Sequence, residues 1–159
     1  ILMTSKTKYS YLLKLLSFFK VPLLYATSPE VIEFSDTETT VYLPLKRKNK
    51  NHLGSMYFGA LAMGAELSVA LMAIKETRES SKNISFIFKD FKAEFLKRAD
   101  AGTYFSCLEA AGVKALVKKA ENGSDRVEQK FKGVAYTDIK TKEPVLTYEL
   151  TLSLKNHSR

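Results

Sequence analysis

Apolar residues recur along this chain with two different periods, and the change of period divides it into helices and strands. In residues 9–19, Tyr9, Leu12, Leu13, Leu16 and Phe19 fall at helical spacing. Tyr11, Leu15 and Phe18 widen the apolar face. Pro22 is expected to stop this helix, because its ring cannot continue the hydrogen-bond ladder. Residues 31–45 alternate loosely, with Val41, Leu43 and Leu45 on one strand face. Lys46-Arg47-Lys48-Asn49-Lys50-Asn51 then reads as a charged loop. The strongest signal is residues 56–77, where Glu66 and Ser68 are the only clearly polar side chains between Met56 and Ile74. The run is rich in good helix formers, and Ser55 is the expected N-cap. A helix apolar on all sides is buried or spans a membrane. Glu66 at its middle, Gly59, Gly64 and the soluble pattern beyond residue 82 favour burial.

Residues 83–98 read as a long strand that changes phase. Ile84, Phe86 and Phe88 lie on one face, Phe91, Ala93 and Phe95 on the other, which predicts a bulge or sharp bend. A turn at Ala101-Gly102 leads to a strand over 104–108. Val113, Leu116, Val117 and Ala120 mark a helix over 109–121, stopped by Asn122-Gly123. Residues 126–139 and 145–154 alternate as strands on either side of a turn at 140–144. The order predicts an α+β domain, with antiparallel strands around one long helix and no doubly wound alternation. A helical segment over 1–29 is expected to precede a domain over 30–157.

Composition narrows the class. Over 159 residues, 45% are apolar and 26% charged, the balance of a folded globular domain. A net charge of +8 favours anionic partners: nucleic acid, lipid headgroups or a phosphate-bearing small molecule. No RNP-like or zinc-finger pattern accompanies the charge, so nucleic acid is not expected. Residues 9–19 suit either a membrane-surface helix with lysines at its rim or a helix docked on the domain or a dimer partner; docking is favoured. Lys14 and Lys20 interrupt the apolar run and no small-residue cleavage pattern follows, which argues against a secretory signal. The single cysteine, Cys107, lies in an apolar alternating stretch and reads as a core residue. Without a possible intramolecular disulfide, a reducing, cytoplasmic setting is expected. No metal-ligand spacing, Gly-rich phosphate loop or serine elbow is present.

What stands out is Asn51-His52-Leu53-Gly54-Ser55-Met56-Tyr57-Phe58-Gly59-Ala60-Leu61, followed by Glu66 inside the apolar helix. A buried unpaired carboxylate costs several kcal/mol or takes up a proton, so its presence asks for a reason. It is either a functional group or a side chain bonded to backbone, to Ser68, or to a lysine across an interface.

This loop-and-helix pattern resembles that of hotdog-fold thioesterases of the phenylacetate-degradation type. It is especially similar to their hotdog relatives known as the domain of unknown function DUF4442. The matching positions are Asn51, Gly54, Gly59 and Glu66, and the resemblance spans about residues 30–155. It implies a hotdog fold, a long central helix wrapped by a curved antiparallel sheet. It also implies hydrolysis of an acyl-CoA thioester at a site between subunits of a homodimer or dimer of dimers. In that scheme the Gly59 N–H, helped by Phe58, holds the oxyanion at the helix start. Glu66 acts as general base or nucleophile, and Asn51 orients the water or carbonyl. Coenzyme A enters as part of the substrate, with no separate cofactor, and Arg47, Lys48, Lys97 and Arg98 are candidates for its phosphates. Two departures stand out. Tyr57-Phe58 replaces the His-Gly of the thioesterase pattern, which removes an imidazole and narrows the site, and Glu66 stands where many relatives carry Asp. A non-catalytic hotdog module that binds acyl-CoA or a fatty acyl chain is the alternative. A hotdog dehydratase is disfavoured because no histidine is placed to pair with the helix acid.

Overall fold

The computed structural model describes residues 5–158. Two helices come first, α1 (Ser5–Lys20) and α2 (Pro22–Ala26). Pro22 does more than end α1: it opens α2, where its missing N–H has no helical partner to lose. The chain therefore has a joint at Val21 (φ −139°, ψ 76°) where one helix was expected. Leu13 and Leu24 are buried in a cluster with Val31, Val41, Leu67 and Leu71, so the helices dock on the domain. Tyr9 adds its ring, 4.2 Å from that of Phe34. Residues 1–4 of the expected N-terminal segment, and the side chain of Leu16, lie outside the described residues.

The loosely alternating stretch resolves into a hairpin, β1 (Glu30–Phe34) and β2 (Thr39–Leu43). Ser35 closes its turn: its N–H donates to the Glu38 carbonyl at 2.9 Å, and its Oγ accepts the Glu38 N–H at 3.1 Å. A 3-10 turn (Arg47–Asn49) precedes the central helix α3 (Phe58–Glu79). Then follow β3 (Ile84–Phe95), β4 (Thr103–Cys107), α4 (Ala110–Glu121), β5 (Val127–Tyr136) and β6 (Pro144–Asn156). The strands form one antiparallel sheet in the order β1-β2-β4-β5-β6-β3. It curves around α3 in the hotdog arrangement that the resemblance implies.

The phase change in β3 has the expected cause with a different result. Register against β6 slips between Phe88 and Asp90. The extra residue turns the second half back inward, so Ile84, Phe86, Phe88, Phe91 and Ala93 all pack on the same core. The two halves of β3 thus share a face, where opposite faces were expected. Phe95 alone stays 47% exposed.

α3 is long and apolar enough to cross a membrane, yet Ala60, Leu61, Ala65, Val69 and Met72 are enclosed in the core. At Gly64 the Phe105 ring lies where a Cβ would stand, so glycine lets the helix approach β4. Ser68 faces the sheet: its Oγ donates to the Ala65 carbonyl at 2.7 Å and bonds the Tyr148 hydroxyl at 2.8 Å. α4 covers the remaining opening with Val113, Leu116, Val117 and Ala120, the four residues its spacing predicts. Cys107 is buried and its thiol is pushed up to about 11 by desolvation, as befits a core residue.

Candidate functional site

The segment leading into α3 is a tight loop built around Asn51. Lys50 and Met56 bridge its ends. The Asn51 N–H donates to the Ser55 carbonyl at 2.8 Å. Its side-chain Oδ1 accepts the N–H groups of Leu53 at 2.9 Å and Ser55 at 3.2 Å, and Nδ2 donates to Ser55 Oγ at 2.9 Å. Gly54 sits at φ +80°, a left-handed conformation that favours glycine. Two further bonds clamp the loop: Met56 N–H to the Ala99 carbonyl and Tyr57 N–H to the Asn49 carbonyl, both 2.7 Å.

These bonds fix where α3 begins. Tyr57, and not Ser55, is the N-cap, and its side chain makes no capping bond. Its carbonyl accepts the Leu61 N–H at 3.1 Å, the first bond of the helix. The N–H groups of Phe58, Gly59 and Ala60 find no acceptor among the described residues. Open N–H groups and the helix dipole together favour a negative charge there.

A hollow of about 450 Å³ lies at this helix start, lined by Asn51, Ser55, Phe58, Phe95, Lys97 and Arg98. The Phe58 ring tilts against Phe95 at 5.6 Å. The Tyr57 ring lies over Gly59, 2.7 Å from where a Cβ would be. Lys97 is ion-paired with Glu143, while Arg98 has no such partner among the described residues. The structure therefore brings Asn51, Phe58, Lys97 and Arg98 together beside Gly59. Lys48 lies elsewhere, in a cleft with Lys14, Tyr25 and Lys46, and Arg47 precedes it on the 3-10 turn.

Glu66 lines a second hollow, of about 350 Å³, with Leu13, Val21, Leu24, Ile74, Phe86 and Arg78 around it. It is partly buried and makes no hydrogen bond or ion pair among the described residues. Ser68 is occupied with Tyr148, and among the described residues no backbone group or lysine holds the carboxylate. Desolvation raises its carboxyl above the ordinary 4.5. Gly59 and Glu66 share one helix face but are about 10 Å apart along the axis, seven residues at 1.5 Å each. A glutamate side chain does not cover that distance. The two halves of the candidate chemistry lie in different hollows of one chain.

Asn49 is a residue that the sequence reading passed over. It is buried, and its Nδ2 donates to the Thr27 carbonyl at 3.0 Å and the Pro44 carbonyl at 2.8 Å. Its own carbonyl takes the Tyr57 N–H, so it ties the helix start to α2 and β2. The only signal was one uncharged amide among the cations of the 46–50 run.

A model of a domain of unknown function, DUF4442, matches residues 10–130. No curated protein matches the sequence. Solved structures share the fold. One is a Chlorobaculum tepidum protein of unknown function at 13% identity and TM-score 0.78, over 94% of this chain and 96% of that one. Another is a Pseudomonas aeruginosa protein of unknown function at 21% identity and TM-score 0.72, over 92% and 95%. A third is a Haemophilus influenzae thioesterase at 15% identity and TM-score 0.66, over 98% and 93%.

Proposed function

Because the chain belongs to the DUF4442 family, described as a domain of unknown function, and has the hotdog fold, we propose that it is an acyl-CoA thioesterase whose site is completed between two subunits. The observation that carries this reading is Glu66: a carboxylate without a partner among the described residues, on the same helix face as an open amide end that it does not reach. A two-fold partner with its α3 antiparallel would bring each Glu66 to the other subunit's helix start. The surface supports such pairing. β3 is an edge strand of 12 residues with no pairing beyond it among the described residues. Leu53, Phe58, Phe95 and Leu96 are exposed around the helix start and would be covered.

In the proposed reaction the thioester carbonyl accepts hydrogen bonds from the Phe58 and Gly59 N–H groups. Glu66 of the partner subunit takes a proton from water as it attacks the carbonyl carbon. A carboxyl held above its usual range is a better base at neutral pH. Negative charge on the oxygen is held by the helix start, collapse of the tetrahedral intermediate breaks the C–S bond, and the proton taken up by Glu66 passes to the departing sulfur, which releases the thiol and leaves the carboxylic acid. Asn51, with its amide engaged in the loop, keeps the helix start in place. Arg98 and Lys97 are the cations nearest for coenzyme A phosphates. The Haemophilus influenzae structure, named a thioesterase, supports this reading by analogy of fold.

One observation favours a second reading. The Tyr57 ring lies over Gly59, which crowds the amide end and suits an acyl-CoA binder without turnover. A panel of acyl-CoA esters of increasing chain length separates the two, with thiol release and binding both recorded. The thioesterase reading expects turnover that falls about 10²–10⁴-fold in Glu66→Ala while the melting curve is retained. Saturable binding with no thiol release across the panel would establish the second.

A further inference from the structure

α1 and α2 carry a second apolar surface that the domain does not cover. Tyr11, Leu15, Phe18 and Phe19 are exposed at helical spacing on the face opposite buried Tyr9 and Leu13. Val21, Leu23 and Tyr25 continue it across the joint, with Phe19 71% and Leu23 66% exposed. The Phe18 ring packs edge-on against Phe19 at 4.9 Å and Tyr25 at 5.1 Å, so the patch is continuous. Its surroundings are basic. Lys8, Lys14 and Lys20 of α1 are exposed, and its sequence has no acidic residue. Tyr25 shares a cleft with Lys14, Lys46 and Lys48, where Glu30 is the one acid.

We propose that this face docks on an anionic membrane surface, with Phe18, Phe19, Val21 and Leu23 at the headgroup–acyl boundary and the lysines on lipid phosphates. Exposed aromatic and aliphatic side chains beside lysines suit an interface that is apolar on one side and anionic on the other. A second copy of this chain suits it less well. A two-fold contact sets a patch against itself, which would face these lysines with the same lysines. The place of the patch gives docking a consequence. Lys20, Val21 and Leu24, at the α1–α2 joint, also wall the hollow that holds Glu66. A membrane met at this joint lies against the apolar hollow, and, resting on the thioesterase reading, long lipid-derived acyl chains are the substrates that would enter there.

Sedimentation of the full chain with vesicles tests the docking without any turnover. Vesicles of phosphatidylcholine alone are compared with vesicles containing phosphatidylglycerol. The wild type should pellet with the anionic vesicles and not with the zwitterionic ones, and added salt should release it. Phe19→Ser with Leu23→Ser, and separately Lys46→Glu with Lys48→Glu, should each weaken binding about tenfold or more. All four side chains are exposed, so an unchanged melting curve is expected for each variant. Wild type that stays in solution with anionic vesicles, or variants that pellet like wild type, would overturn the proposal. So would a self-associated wild type that Phe19→Ser with Leu23→Ser dissociates without any vesicle binding. Because binding is scored apart from thiol release, loss of either leaves the other readable. If both hold, anionic vesicles should raise turnover of long-chain esters more than of short ones.

Discussion

Replacing Glu66 with glutamine should stabilise the protein at neutral pH and leave it unchanged in acid. The side chain is partly buried, finds no partner among the described residues, and has its carboxyl raised by desolvation above 4.5. The folded state therefore binds this proton more tightly than the unfolded chain does. As pH rises through 4.5 the unfolded chain releases the proton first, so folding loses free energy over that window and the loss levels off above the raised value. Below 4.5 both states are protonated and the penalty disappears. A buried polar group without a partner costs about 1–3 kcal/mol. Partial exposure puts Glu66 at the low end, about 1 kcal/mol, which for a chain of this length is a gain of about 2–4 °C in Tm. Melting curves of wild type and Glu66→Gln, from below pH 4.5 to neutrality, read this directly. The gap should be nil in acid and open as pH rises. Parallel curves, or a wild type more stable than the variant at neutral pH, would mean that a cation or the partner's helix start offsets the penalty in the assembled protein, and the argument from an unpaired group would fail.

Two other substitutions test the helix itself. Gly64→Ala places a methyl in the fully buried Phe105 ring and should cost about 1–3 kcal/mol in urea denaturation, because α3 must lift off β4. A cost near zero would show that this contact is loose. Phe58→Pro removes one open N–H while keeping the fold, since Tyr57 at φ −66°, ψ 142° already suits the residue before a proline and the first helical position tolerates it. Hydrolysis should fall about 10²-fold in Phe58→Pro and far less in Phe58→Ala. Equal losses would assign the effect to the ring and not to the N–H.

The fold was legible wherever the apolar residues keep the period of their element. β6 and α4 show their inward residues at the period of their element, and the structure buries Leu146, Leu150, Val113 and Val117 accordingly. The phase change in β3 marked a bulge, but spacing alone does not say which way a strand turns after an inserted residue. Pro22 was legible as an interruption and not as the start of α2, because the same fixed φ that ends one helix suits the first turn of another. The placing of the candidate residues was legible in part. Asn51, Phe58, Lys97 and Arg98 meet beside Gly59, whereas Lys48 faces another cleft. Asn49 was hidden because its part is played by a carbonyl and an amide bonded to backbone groups of Thr27, Pro44 and Tyr57, which leave no side-chain spacing to find. Glu66 announced itself by polarity alone, and its separation from the helix start becomes evident only from helix geometry.

Mixing two inactive variants tests whether one subunit supplies Glu66 and the other the helix start. Glu66→Gln and Phe58→Pro are unfolded together, refolded as a mixture and assayed for acyl-CoA hydrolysis beside each variant refolded alone. If the site spans two subunits, a mixed pair contains one site with both an intact Glu66 and an intact helix start, and activity should return to a substantial fraction of wild type. If each chain keeps its site to itself, every site in the mixture carries one lesion, and a mixture as inactive as its parents would contradict the account.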